Sequence, residues 1–125
     1  MWITYADQTQ TFELRGVHLT RMIAPSTGAR EVMACYVSID PGAASPPHWH
    51  DHDEGLIILS GMVRAVMGSE IATLRSGDSC IIPANTLHHV KNLGDEPCEM
   101  VSTMLVHTRF FREDGSEITT PPWTA

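Results

Sequence analysis

An all-β domain, folded as a sandwich or barrel of short strands, is what this 125-residue chain predicts. Two observations carry the prediction. Short apolar, β-branched runs recur along the chain, each closed by turn residues, and no segment sustains the 3.6-residue period of a helix of useful length. The strand-like runs fall at residues 32–39, 55–59, 62–67, 79–82, 88–91 and 99–107. Between them stand Asp40-Pro41-Gly42, Ser60-Gly61, Gly68-Ser69, Ser76-Gly77-Asp78 and Asn92-Leu93-Gly94-Asp95, which supply the turns.

The ends of the chain are less regular. Residues 1–20 alternate weakly, as in Trp2-Ile3-Thr4-Tyr5 and Phe12-Glu13-Leu14, and are expected to form outer strands. The tail, with Phe110-Phe111-Arg112 and then Pro121-Pro122-Trp123, is expected to form a hairpin and an extended cap. Its aromatics either close a barrel mouth or pack outside or at a subunit contact, the second arrangement being favoured. Length gives one domain over residues 1–125, with a core at 32–107, outer strands at 1–31 and a tail at 108–125. No internal repeat is present.

Composition excludes several classes. Hydrophobic residues at 42% and charged residues at 18% describe an ordinary globular chain. The net charge is -7 and the eight Lys and Arg are scattered, so nucleic acid is not an expected partner. Neither a membrane span nor a secretory signal is expected, which makes the cytoplasm the default location. The cysteines Cys35, Cys80 and Cys98 are odd in number and lack CxxC spacing, so they do not read as a disulfide framework. Cys35 and Cys80 lie in strand-like runs and are expected to act as small buried hydrophobes. The alternative is that one of them lines a metal cavity.

The chemistry-bearing residues gather in two clusters. The first runs from Gly42 through five residues to His48, one to His50, three to Glu54 and six to Gly61. The second runs from Gly77 through five residues to Pro83, four to His88 and three to Asn92. In an extended strand the residues i and i+2 share a face, so His48 and His50 converge. A tight turn around His52-Asp53 brings Glu54 back toward them. Glu54 stands just before the apolar run Leu56-Ile57-Ile58-Leu59, and a carboxylate entering a core there is costly unless a cation pairs with it. His18, alone in its segment, is expected to be solvated or hydrogen-bonded.

The two-part signature resembles the cupin superfamily, specifically its small single-domain members. The match covers about two-fifths of the chain. One position departs from the family pattern: Asn85 stands where a glycine is usual, and asparagine tolerates positive φ well enough to keep the turn. The resemblance implies a double-stranded β-helix, the jelly-roll barrel. It also selects His88 over the adjacent His89, whose side chain points the other way on a strand. It implies one divalent transition metal held by His48, His50, Glu54 and His88, with iron favoured and zinc, manganese, nickel or copper possible. No organic cofactor is expected.

The leading expectation is a non-haem Fe(II) dioxygenase-like enzyme acting on a small molecule. A non-redox isomerase, lyase or cyclase using zinc, manganese or nickel is the main alternative, and a non-catalytic binding or sensor barrel the third. The residues expected to act beside the metal are His52 and His107 as proton carriers, and Arg64 as an anchor for a carboxylate or enolate if it faces inward. Trp49, Met62, Met67, Met100 and Met104 are further candidates for the cavity wall. A homodimer is the expected assembly.

Overall fold

Strict alternation decides the longest strands. In β3 (Val32–Ile39) Met33, Cys35, Val37 and Ile39 are buried, and in β10 (Cys98–Leu105) Cys98, Met100 and Ser102 are, so each strand turns one face inward. The computed structural model describes all of residues 1–125. The remaining strands are β1 (Gln10–Leu14), β2 (Val17–Ile23), β4 (His48–His50), β5 (Glu54–Ser60), β6 (Met62–Met67), β7 (Glu70–Arg75), β8 (Ser79–Ile82), β9 (His88–Asn92), β11 (Phe110–Arg112) and β12 (Glu117–Ile118).

These strands form two antiparallel sheets, ordered β1-β2-β3-β10-β5-β8 and β12-β11-β4-β9-β6-β7. From β3 to β11 the chain passes repeatedly from one sheet to the other, which is the jelly-roll barrel that the sequence led us to expect. Between the sheets lie Ile39, Leu56, Ile58, Val63, Ala65 and Ile82, all nearly inaccessible. Each larger side chain among them contributes about 1.5–3 kcal/mol by burial.

Two turns show why particular residues are needed. Gly61 joins β5 to β6 at φ 87°, and a Cβ there would stand 2.7 Å from that of Cys98, so the turn requires glycine on both counts. Asn85 adopts φ 62° and its amide donates to the His50 carbonyl at 2.6 Å, so asparagine does keep the turn.

The strands at 32–39, 62–67 and 79–82 fall where the pattern placed them, and those at 55–59 and 88–91 are one residue longer at one or both ends. Three expectations need correction. The run at 99–107 ends at Leu105, and His107 sits in the following turn at φ 64°. Residues 1–5 form no strand: a single 3-10 turn at Ala6–Gln8 interrupts the chain, and regular pairing starts at Gln10. β7 has no counterpart in the predicted runs, because Glu70 and Arg75 bound it and Ile71 faces outward while Leu74 packs on the core. The tail does form its hairpin, with Phe110 opposite Ile118. No helix is long and apolar enough to cross a membrane.

Candidate metal centre

β4 and β9 deliver the imidazoles. His48 and His50 share a face of β4, and His48 stands directly opposite His88 across the β4–β9 pairing. The chain then crosses to the other sheet through Asp51-His52-Asp53 and begins β5 with Glu54. That crossing is pinned from both sides. The Arg109 amide donates to Asp51 Oδ1 at 2.8 Å and the Ala84 amide to Asp53 Oδ1 at 2.9 Å, so Glu54 enters the barrel at a fixed point.

One donor nitrogen from each of His48, His50 and His88 lies within 4.8 Å of the others. His50 and His88 are each only 2% exposed. His48 Nδ1 lies 2.7 Å from the Pro46 carbonyl and His88 Nδ1 lies 2.8 Å from that of Thr86. A carbonyl only accepts, so both Nδ1 atoms carry a proton and the Nε2 atoms are the ones left to offer lone pairs to a cation. His88 Nε2 and both ring nitrogens of His50 are buried with no hydrogen-bond partner. Leaving such a group unsatisfied costs about 1–3 kcal/mol, and converging lone pairs are what a cation satisfies.

Glu54 lies outside this three-histidine group but beside two of its members. Its Oε1 lies 3.4 Å from His50 Nε2 and 3.2 Å from His88 Nε2, while its Oε2 accepts the Ser102 hydroxyl. Burial alone would raise the Glu54 carboxyl, but positive charge carried by protonated His50 and His88 beside Oε1 more than offsets it and holds it below the ordinary carboxylate range, as a metal ion in their place would. His48 is pushed down to about 4 by burial and then by His88 and His50, so it stays neutral at working pH. Three imidazole nitrogens with a carboxylate beside two of them are donor types that a divalent first-row metal takes.

A cavity of about 130 Å³ opens from this cluster into the barrel. Its wall is mostly apolar and includes Met33, Leu56, Met100, Met104, Phe110 and Trp123. Cys35 lines it too, as the alternative reading of that residue held. Burial, then the Glu54 charge, pushes its thiol up to about 12.

His52, Arg64 and His107, expected to act in the site, do not reach this cavity. His52 is exposed, with Nδ1 2.9 Å from Asp51 Oδ1. Arg64 lies opposite Thr73 and Lys91 on the outward face of β6, because Val63 and Ala65 take the inward positions. His107 is exposed in its turn. Trp49 stacks on Phe111 at 4.1 Å, outside the cavity, and Met62 and Met67 are absent from its wall whereas Met100 and Met104 belong to it. His89 points outward as expected, and His18 pairs with Asp40 at 3.1 Å. Ser102 was not anticipated, although the alternation that selects Met100 and Met104 selects it as well.

The sequence profile of the cupin domain matches residues 35–104, and the chain belongs to the cupin family. It is 28% identical over 113 residues to the oxalate decarboxylase OxdC of Bacillus subtilis, covering 82% of this chain and 28% of that protein. It is also 28% identical over 89 residues to the polyketide synthase CurC of Streptomyces cyaneus, covering 70% of this chain and 58% of that one. The chain thus spans less than two thirds of these relatives. Among solved structures, the polyketide cyclase RemF from Streptomyces resistomycificus superposes with a TM-score of 0.76 at 16% identity, over 86% of this chain and 81% of that one, a likeness of fold.

Proposed function

We propose that this cupin is a mononuclear metal enzyme acting on a small molecule held in the barrel cavity, with His48, His50, His88 and Glu54 as ligands. The observation that carries the reading is the set of buried imidazole nitrogens left without partners beside the Glu54 carboxylate. A metal ion bound there supplies Lewis acidity and, if it is iron, redox chemistry. The chain's own residues do the rest. The carbonyls of Pro46 and Thr86 orient two of the rings, Ser102 fixes the Glu54 carboxylate, and the apolar wall keeps bulk water from the reacting groups.

The reaction we favour is an iron-dependent, dioxygenase-like oxidation. Apart from the proposed ligands, the titratable group on the wall is Cys35, whose thiol stays protonated at working pH and offers no general base. An oxidation centred on the metal needs no such base, whereas a proton-transferring isomerase relying on His52 or His107 would. A second reading, metal-assisted cyclisation without redox change, is supported by the likeness in fold to a protein named a polyketide cyclase. Iron-loaded and zinc-loaded protein, each incubated with phenols, diketones and catechols while oxygen is monitored, separates them. Oxygen uptake by the iron form alone supports oxidation. Turnover retained with zinc supports cyclisation, and no conversion by either form counts against both.

A further inference from the structure

The charge and volume of the cavity say what kind of molecule it holds. We infer that it takes a largely apolar molecule of about one ring that binds with one negative charge at most, through a hydroxyl or enolisable keto oxygen, with Trp123 setting the upper size; this rests on the metal reading above.

Charge comes first. A divalent ion, the Glu54 carboxylate and three neutral imidazoles sum to one net positive charge. No Lys, Arg, Asp or second Glu lines the cavity, whose other polar groups are the hydroxyls of Ser45, Ser102 and Thr124, the Cys35 thiol and the Trp123 indole. A ligand that binds as a monoanion, its proton left to solvent water, brings the enclosure to neutrality. A phosphate ester or dicarboxylate would bring a second negative charge into an apolar enclosure with no cation to meet it, at a large desolvation cost. The ligand therefore carries one negative charge at most when bound.

Volume comes next. At about 130 Å³ the space is close to that of an apolar cavity of ~150 Å³ that holds benzene. It falls below the ~300–1,000 Å³ typical of sites for drug-sized ligands. Part of the wall comes from the 3-10 turn Pro122–Thr124, which places Trp123 with its ring centroid 6.5 Å from that of Phe110. Few polar contacts hold this segment: Arg21 Nη1 donates to the Pro122 carbonyl at 2.9 Å and the Ser26 amide to the Ala125 carbonyl at 3.0 Å. A ligand larger than one ring has to displace Trp123.

The test is calorimetric titration of the zinc-loaded full chain, and of its Trp123→Ala variant, with phenol, 1-naphthol and phenyl phosphate, measuring zinc content before and after. The wild-type protein is expected to bind phenol at least about tenfold more tightly than the other two. Trp123→Ala is expected to gain about tenfold for 1-naphthol and nothing for phenyl phosphate, which resembles 1-naphthol in size but is charged. Tighter binding of phenyl phosphate than of phenol to either protein overturns the inference. So does an unchanged 1-naphthol affinity in a variant that still binds phenol. Should Trp123→Ala fail to fold, Trp123→Phe tests the same point with a smaller gain. Full zinc occupancy with no phenol binding sinks this inference alone, while failure to hold zinc sinks the metal reading beneath it.

Discussion

Ser102→Ala is the most informative single substitution outside the proposed ligands. The Ser102 hydroxyl donates to Glu54 Oε2, which leaves Oε1 turned toward His50 and His88. A hydrogen bond to a charged group is worth about 1.5–3 kcal/mol, and removing it frees the carboxylate to rotate away from the imidazoles. If Glu54 is a ligand, metal affinity should fall by about 10–100-fold, the range found when partners that orient metal ligands are removed. Competition against a chelator of known affinity measures this directly. Ser102→Thr, which keeps the hydroxyl, should recover most of the loss. Unchanged affinity in a folded Ser102→Ala protein would refute the idea that Glu54 is held in place to bind metal.

Other outcomes follow from the same contacts. Asn92 donates from Nδ2 to the Ile39 carbonyl at 2.9 Å and the Glu96 carbonyl at 2.8 Å and accepts from the Gly94 amide at 2.8 Å, so Asn92→Ala should lower unfolding free energy by about 3 kcal/mol in urea titration. Acidification should destabilise the metal-free protein. Between pH 6.5 and about 4 the unfolded chain takes up a proton that folded His48 refuses, and the lowered Glu54 carboxyl adds to the loss below about pH 4.5. Melting temperature should thus fall as pH drops through that window and be flat above it as far as these groups are concerned. Arg64→Ala and His107→Ala should each leave metal affinity and any turnover within about twofold, since neither side chain reaches the cavity; a loss of about tenfold or more in either would mean that the side chain does reach the site.

Much of the barrel was legible where apolar alternation and turn residues agree, as in β3, β6 and β8, whose limits are set by Asp40-Pro41-Gly42, Gly61 and Gly77. The clustering of His48, His50 and His88 was legible for the same reason, since strand parity and sheet pairing put them on one face. Facing was harder. Whether Arg64 pointed in or out depended on the register of β6, which Val63 and Ala65 settle by filling the interior. The tail aromatics divided, Phe110 going inside and Phe111 outside onto Trp49, because neighbours on a strand point to opposite faces. Trp123, like Phe110, lines the cavity, against the favoured expectation that the tail aromatics pack outside, and does so through a long-range contact that no local pattern encodes. Glu70–Arg75 is an edge strand whose apolar Ile71 faces solvent while Ala72 and Leu74 turn inward, so its pattern does not read as a strand between its charged ends.

The most direct test of the account is metal content by elemental analysis of untagged protein from its native host, beside the His48→Ala, His50→Ala double variant. The account predicts about one divalent transition-metal ion per chain in the wild type and almost none in the variant. The same stoichiometry in both proteins would contradict it.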